Sequence, residues 1–201
     1  MIVPELSDEL FPGKAYNLGN VVDPSESAEP EGASAFEVLE PLYDAVAADV
    51  GSSSKSYFLY GHSAGAQFVH RFVIFQQPNR VARAVVANAG WYTVLDEETT
   101  FPYGTGDSPA TPDAIVGALG TRLIVLLGED DDDPSTDGLR TTPGAKAQGA
   151  HRLARGKFFF ASGRAAADGY GVPFRWRMFI VPDAGHSNEA MAPAAAALLF
   201  D

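Results

Sequence analysis

The sequence predicts an α/β fold, a doubly wound and mostly parallel sheet between helical layers. Three observations predict it. Apolar, β-branched runs alternate with helical patterns about four times along the chain. The middle runs are apolar on both faces, as suits strands covered by helices on either side. One of them passes through a glycine-flanked serine straight into a helical pattern.

The elements follow in order. Ile2-Val3 reads as a short strand, and residues 23–33, rich in Pro, Glu and Ser, read as a loop. Ser34 and Glu37 form a capping box, in which each satisfies a free backbone N–H. Phe36, Leu39, Tyr43, Val46 and Val50 then recur at helical spacing. Pro41 inside that pattern predicts a kink or a late helix start. Ser56–Tyr60 is a strand, and Ala64–Gln77 a helix stopped by Pro78. The strand Arg83–Ala89 leads into a long connection over residues 90–113. A short helix, Pro112–Leu119, ends at Gly120. The strand Arg122–Leu127, a basic helix Gly144–Ala161, the strand Phe174–Val181 and a helix Asn188–Phe200 complete the chain.

Composition excludes several function classes. The chain has 201 residues, 46% of them hydrophobic and 20% charged, which is the make-up of one globular domain. It has no cysteine, so disulfides, cysteine-zinc sites and thiol catalysis are all excluded. A net charge of −12 argues against general nucleic-acid binding. No apolar run approaches the ~18 residues of a membrane span. The N-terminus lacks the basic stretch and apolar core of a signal peptide, which leaves the cytoplasm as the default compartment. Charge is uneven. Residues 1–50 hold eleven acids and one lysine, whereas residues 138–182 hold eight basic residues and one acid. Two solvated faces explain this, and so does a basic face that meets an anionic substrate.

The chemistry centres on Gly61-His62-Ser63-Ala64-Gly65, a G-x-S-x-G pattern between a strand and a helix. Such a turn demands glycine at 61 and 65, lifts the Ser63 hydroxyl clear of the sheet, and aims the Ala64 N–H at the same space as half of an oxyanion hole. Serine needs a base. Of four histidines, His62 lies within the turn and points away from Ser63, His70 lies two turns down the same helix, and His151 sits in the basic helix. His186 follows the last strand, at the sheet edge where a base meets a nucleophile. The acid that orients it belongs to the run after Gly128. Spacing favours Asp131, with Asp130 and Asp133 as alternatives. The order Ser63, Asp131, His186 is distinct from the other known triad orders. Trp91, Tyr92, Phe101 and Tyr103 lie in the loop after Arg83–Ala89. They wall a substrate pocket or form a satellite core under that loop.

At these residues the chain resembles the α/β-hydrolase superfamily. The segments 59–72, 88–93, 101–104, 127–129 and 181–186 are similar to bacterial depolymerase-like hydrolases, grouped near polyhydroxyalkanoate and poly(aspartic acid) depolymerases. The resemblance implies a three-layer sandwich over residues 1–201 and a serine hydrolase acting on a small or polymeric ester or amide. It implies an acyl-serine intermediate and no cofactor or metal. The family takes a second oxyanion donor from a glycine-rich loop ahead of the elbow, and none of the 62 residues before Ser63 reads as that loop. The expectation is therefore a single domain that lacks the family's first strands, with Met1–Pro4 as the end of one of them. Two alternatives stand beside the ester hydrolase: a truncated chain without catalysis, and an amide or peptide hydrolase.

Overall fold

The computed structural model describes residues 1–21 and 34–200. The loop expected at 23–33 lies outside the described residues. In chain order the elements are α1 (Gly13–Leu18), α2 (Ala35–Asp49), β1 (Tyr57–His62), α3 (Ala64–Phe75), β2 (Val81–Ala87) and α4 (Pro112–Gly120). Then come β3 (Leu123–Gly128), α5 (Pro143–Ala147), α6 (Arg152–Tyr170), β4 (Arg177–Val181) and α7 (Asn188–Phe200).

The four strands form one parallel sheet in the order β1-β2-β3-β4. Each connection steps to the next strand in the same direction. Right-handed crossovers therefore deliver α3, α4 and α6 to a single face. There Ala84, Val86, Leu123, Val125 and Leu127 pack with Phe68, Phe72, Ile115, Leu119 and Phe159. On the opposite face Val85, Ala87, Ile124 and Leu126 pack under Met191, Ala195 and Leu199 of α7. Alternate residues of β2 and β3 thus serve different cores, which is why both strands read as continuously apolar.

Several elements differ from the sequence expectation. Ile2-Val3 forms no strand; the two side chains are 58% and 79% exposed. Two apolar residues ahead of a proline have too few ladder donors to pair. α2 runs unbroken through Pro41, because Phe36 and Leu39 are buried and hold it against the core. At its start the Ser34 Oγ accepts from Phe36 N at 3.2 Å. The expected basic helix is two helices, α5 and α6. Gly149 breaks them at φ +144°, and His151 caps α6 by accepting from Ala154 N. α1 has no capping side chain to announce it, yet its Ala15 is buried. The last strand begins at Arg177, because Trp176 turns inward and donates its Nε1 hydrogen to Ala118 O at 2.9 Å. No helix among the described residues is long and apolar enough to cross a membrane.

Phe159 is the keystone of the larger core. It is fully buried, stacks on Tyr92 at 4.5 Å, and meets the Trp176 ring at 4.8 Å. Phe159→Ala is expected to lower unfolding free energy by about 3–5 kcal/mol. Urea denaturation measures it; a loss below about 1 kcal/mol contradicts the packing described.

Candidate active site

The site is built at the C-terminal ends of the parallel strands. β1 ends at His62, and α3 begins at Ala64. Ser63 between them sits at φ 55°, ψ −114°, a conformation that a non-glycine residue holds only under constraint. The constraint is visible on both sides. Ser63 N donates to Ala87 O at 2.9 Å, and Gln67 N donates to Ser63 O at 3.1 Å. Glycine is required at 61, where a Cβ would lie 2.2 Å from Gly65 O. It is not required at 65 by space, since the nearest atom to a Cβ there is Tyr16 OH at 3.7 Å. The turn is tight because of the approach of residue 65's carbonyl to residue 61, not the reverse.

Three side chains meet over this turn. His186 Nε2 lies 3.0 Å from Ser63 Oγ, and His186 Nδ1 lies 2.8 Å from Asp131 Oδ2. With Asp131 as a carboxylate, Nδ1 carries the hydrogen and Nε2 is free to accept one. Asp131 is 4% exposed, whereas Asp130 and Asp133 are exposed; Asp133 Oδ1 is taken by the Ser135 N–H and hydroxyl. The arrangement can draw a proton from a serine hydroxyl and hold the resulting imidazolium against a carboxylate. The N–H groups of the first turn of α3, Ala64 included, have no intrahelical acceptor and carry the positive end of the helix dipole. Among the described residues no cluster of three His, Asp or Glu is arranged to hold a metal.

Backbone contacts fix the two loops that bring Asp131 and His186 together. Glu129 N donates to Val181 O at 3.0 Å, and Asp130 N donates to Ala184 O at 2.9 Å. A Cβ on Gly128 would stand 2.3 Å from Ala184 O, so only glycine admits this approach. Asn88, fully buried at φ +50°, accepts from Gly128 N at 2.8 Å and donates to Gly185 O at 3.1 Å.

Two further residues join the site: Arg152, which the sequence did not single out, and His62, which it set aside. Arg152, the first residue of α6, is buried and places Nη1 3.3 Å from Asp131 Oδ1, on the carboxylate oxygen that His186 leaves open. Its only sequence signal was membership of a basic run. His62 lies with its ring centroid 4.9 Å from that of His186, and its Nε2 is buried without a partner. Burial, and then the neighbouring His186, push the His62 pKa down to about 4.

The remaining candidates are placed as follows. His70 is fully buried, donating from Nδ1 to Ala66 O and accepting from Thr93 N at Nε2. Burial holds it neutral, with its pKa well below 6.5. Tyr92 and Phe101 are buried, Tyr92 within the larger core and Phe101 against Phe75. Tyr103 is half-buried against Trp91, with ring centroids 5.0 Å apart. Trp91 lines a cleft of about 430 Å³ together with Gln67, Gly90 and Arg140. Gln67 stands one helical turn from Ser63, so the cleft adjoins the site.

Among solved structures the chain is similar to poly(aspartic acid) hydrolase-1 from Sphingomonas sp. KT-1. The TM-score is 0.92 and the identity 42%, over 98% of this chain and 75% of that one. It is also similar to LpqC, a poly(3-hydroxybutyrate) depolymerase from Bordetella parapertussis. There the TM-score is 0.88 and the identity 33%, over 98% of this chain and 67% of that one. No protein-family model and no curated protein matches the chain.

The depressed His62 pKa has a consequence for stability. Unfolded, the residue takes up a proton below its ordinary value of 6.5; folded, it does so only near 4. Lowering the pH through that window therefore favours the unfolded chain, and His62 adds to stability lost between about pH 6.5 and 4. The thermal midpoint of His62→Gln is expected to fall less than that of the parent between pH 7 and pH 4.5. An equal fall in both proteins contradicts the assignment.

Proposed function

The chain belongs to the α/β-hydrolase family, and we propose that it is a serine hydrolase cleaving a carboxylic ester or amide through an acyl-serine intermediate. The observation that carries this reading is the continuous hydrogen-bonded chain from Ser63 through His186 to Asp131, at 3.0 and 2.8 Å.

In the proposed mechanism His186 Nε2 takes the Ser63 proton as Oγ bonds to the substrate carbonyl carbon. Asp131 fixes the imidazole tautomer and stabilises the imidazolium. Arg152 holds the second carboxylate oxygen, so the carboxylate cannot rotate away from the ring. The Ala64 N–H and the α3 terminus receive the developing oxyanion. His186 then returns the proton to the departing alcohol or amine. Water, deprotonated by the same nitrogen, releases the acid and restores Ser63.

We further propose that the scissile bond lies within a linear polyester or polyamide, as the names of the similar structures suggest. Trp91 is the proposed substrate wall; Tyr92, with no exposed surface, acts behind it. One observation favours a carboxylate-bearing polyamide as a second reading. Arg71 and Arg140 both lie over the Trp91 ring, at 4.1 and 4.6 Å. Arg71 is fully buried, is bonded only to neutral oxygens, and leaves its Nη2 without a partner. Positive charge beneath Trp91 at Arg71 and on the cleft lining at Arg140 suits an anionic substrate. Hydrolysis of p-nitrophenyl esters measured beside an anionic polyamide separates the two readings.

A fluorophosphonate probe is expected to label Ser63 in the folded chain and to spare Ser63→Ala. Asp131→Asn is expected to retain the fold and lose about 10⁴-fold in kcat. Absence of labelling in a folded sample, or an Asp131→Asn variant of near-normal kcat, contradicts the proposal.

A further inference from the structure

At the opposite ends of the strands the sheet carries a row of arginines that the hydrolytic reading does not use. Arg83 lies on β2, Arg122 directly precedes β3, and Arg177 opens β4 two residues after Arg175. Pairing of Ala84 with Leu123 sets Arg83 beside Arg122, and pairing of Ile124 with Arg177 sets Arg122 beside Arg175. Side chains alternate across a strand. Leu123, Trp176 and Met178 serve the core under α3 and α6, so all four arginines share the other face with Ile124 and Phe179.

α7 covers that face only in part. Its Leu198 carbonyl accepts from Arg83 Nη1, while at the starts of β3 and β4, around Arg122 and Arg177, the face stays open. The result is a cleft of about 410 Å³ lined by Arg83, Arg122, Ile124, Arg175 and Arg177. Among the described residues no carboxylate lies within ion-pair distance of any of these guanidiniums. Arg177 lies over the Phe179 ring at 4.7 Å, and the Arg122 and Arg175 side chains are exposed. Neither belongs to the hydrophobic core, and neighbouring strands, about 4.8 Å apart, force like charges together. In a chain of net charge −12, four cations in one concavity with no carboxylate partner among the described residues are a local inversion of sign.

We propose that this cleft binds a compact multivalent oxyanion, a molecule carrying two or more phosphate or carboxylate groups a few ångströms apart. Guanidinium forks match both groups in paired hydrogen bonds. One ligand with several charges neutralises the row in a single binding event, which separate monovalent ions do not. The volume suits a small molecule. The cleft lies about 20 Å from Ser63, the length of a six-residue strand, so it is a second site and not an extension of the first.

Isothermal titration at low ionic strength tests it, with tripolyphosphate in one arm and citrate in the other. Saturable binding of one equivalent in either arm is expected, and the arm that binds identifies the phosphate or carboxylate source. Arg122→Ala/Arg175→Ala is expected to weaken that binding about tenfold or more and to leave p-nitrophenyl ester hydrolysis unchanged. Both positions are exposed, so the double variant folds. No saturable binding in either arm, or equal binding by the double variant, overturns the proposal.

Discussion

The amide of Asn88 holds the site together. One side chain, with no exposed surface, joins the end of β2 to the two loops that carry Asp131 and His186. Its oxygen takes the N–H of Gly128, where the acid loop departs, and its nitrogen serves the carbonyl of Gly185, one residue before His186. A buried donor or acceptor left unpaired costs about 1–3 kcal/mol, so both loops have strong reason to adopt this arrangement and no other. The absence of a side chain at Gly128 allows the Ala184 carbonyl to come close enough for the two loops to interlace. The positive φ of Ser63 and of Asn88 places two strained residues at adjacent strand ends, where constrained backbone aims functional side chains.

Around this clamp Arg152 is paired with the Asp131 carboxylate, whereas the buried Arg155 and Arg71 are held by neutral oxygens. Arg155, 1% exposed, donates to the carbonyls of Gly149, Gly90 and Arg140. Those three bonds tie α6 to the loop after β2 and to the loop after β3. Arg71 does the same between α1 and the Thr93 hydroxyl. Gln148 adds a pair of bonds with the Tyr92 backbone. The long connection after β2 is thereby ordered without regular secondary structure. The uneven charge seen along the chain becomes two separate features: arginines that pin loops beneath the site, and arginines that stand open at the far end of the sheet.

Much of this was legible in the sequence. The elbow was readable because a strand, a serine between glycines and a helix occur in unbroken succession. Asp131 and His186 were readable because each follows a strand run directly, and strand ends in a parallel sheet converge. Other features were hidden for physical reasons. The break at Gly149 depends on its φ of +144°, which no pattern reports. Pro41 suggested a boundary, but packing of Phe36 and Leu39 outweighed the loss of one helical hydrogen bond. Tyr92 read either as a pocket wall or as part of a satellite core under its loop; its ring stacks on Phe159 in the larger core, a contact 67 residues along the chain that no local pattern reports. Asn88 ended a strand with an ordinary polar residue; its two bonds, to Gly128 and Gly185, span 40 and 97 residues of sequence.

The central claim is that the Ser63–His186–Asp131 chain works because the strand ends are clamped in register. The kcat of Asn88→Ala on a small p-nitrophenyl ester tests it most directly, with KM and the thermal midpoint recorded on the same samples. Asn88→Asp, which keeps the acceptor for Gly128, serves if the alanine variant fails to fold. A displacement of the loops by about 1 Å predicts a fall in kcat of about 10²-fold, with KM little changed and a cooperative unfolding transition retained. A folded variant that turns over substrate at the parent's kcat would contradict the account.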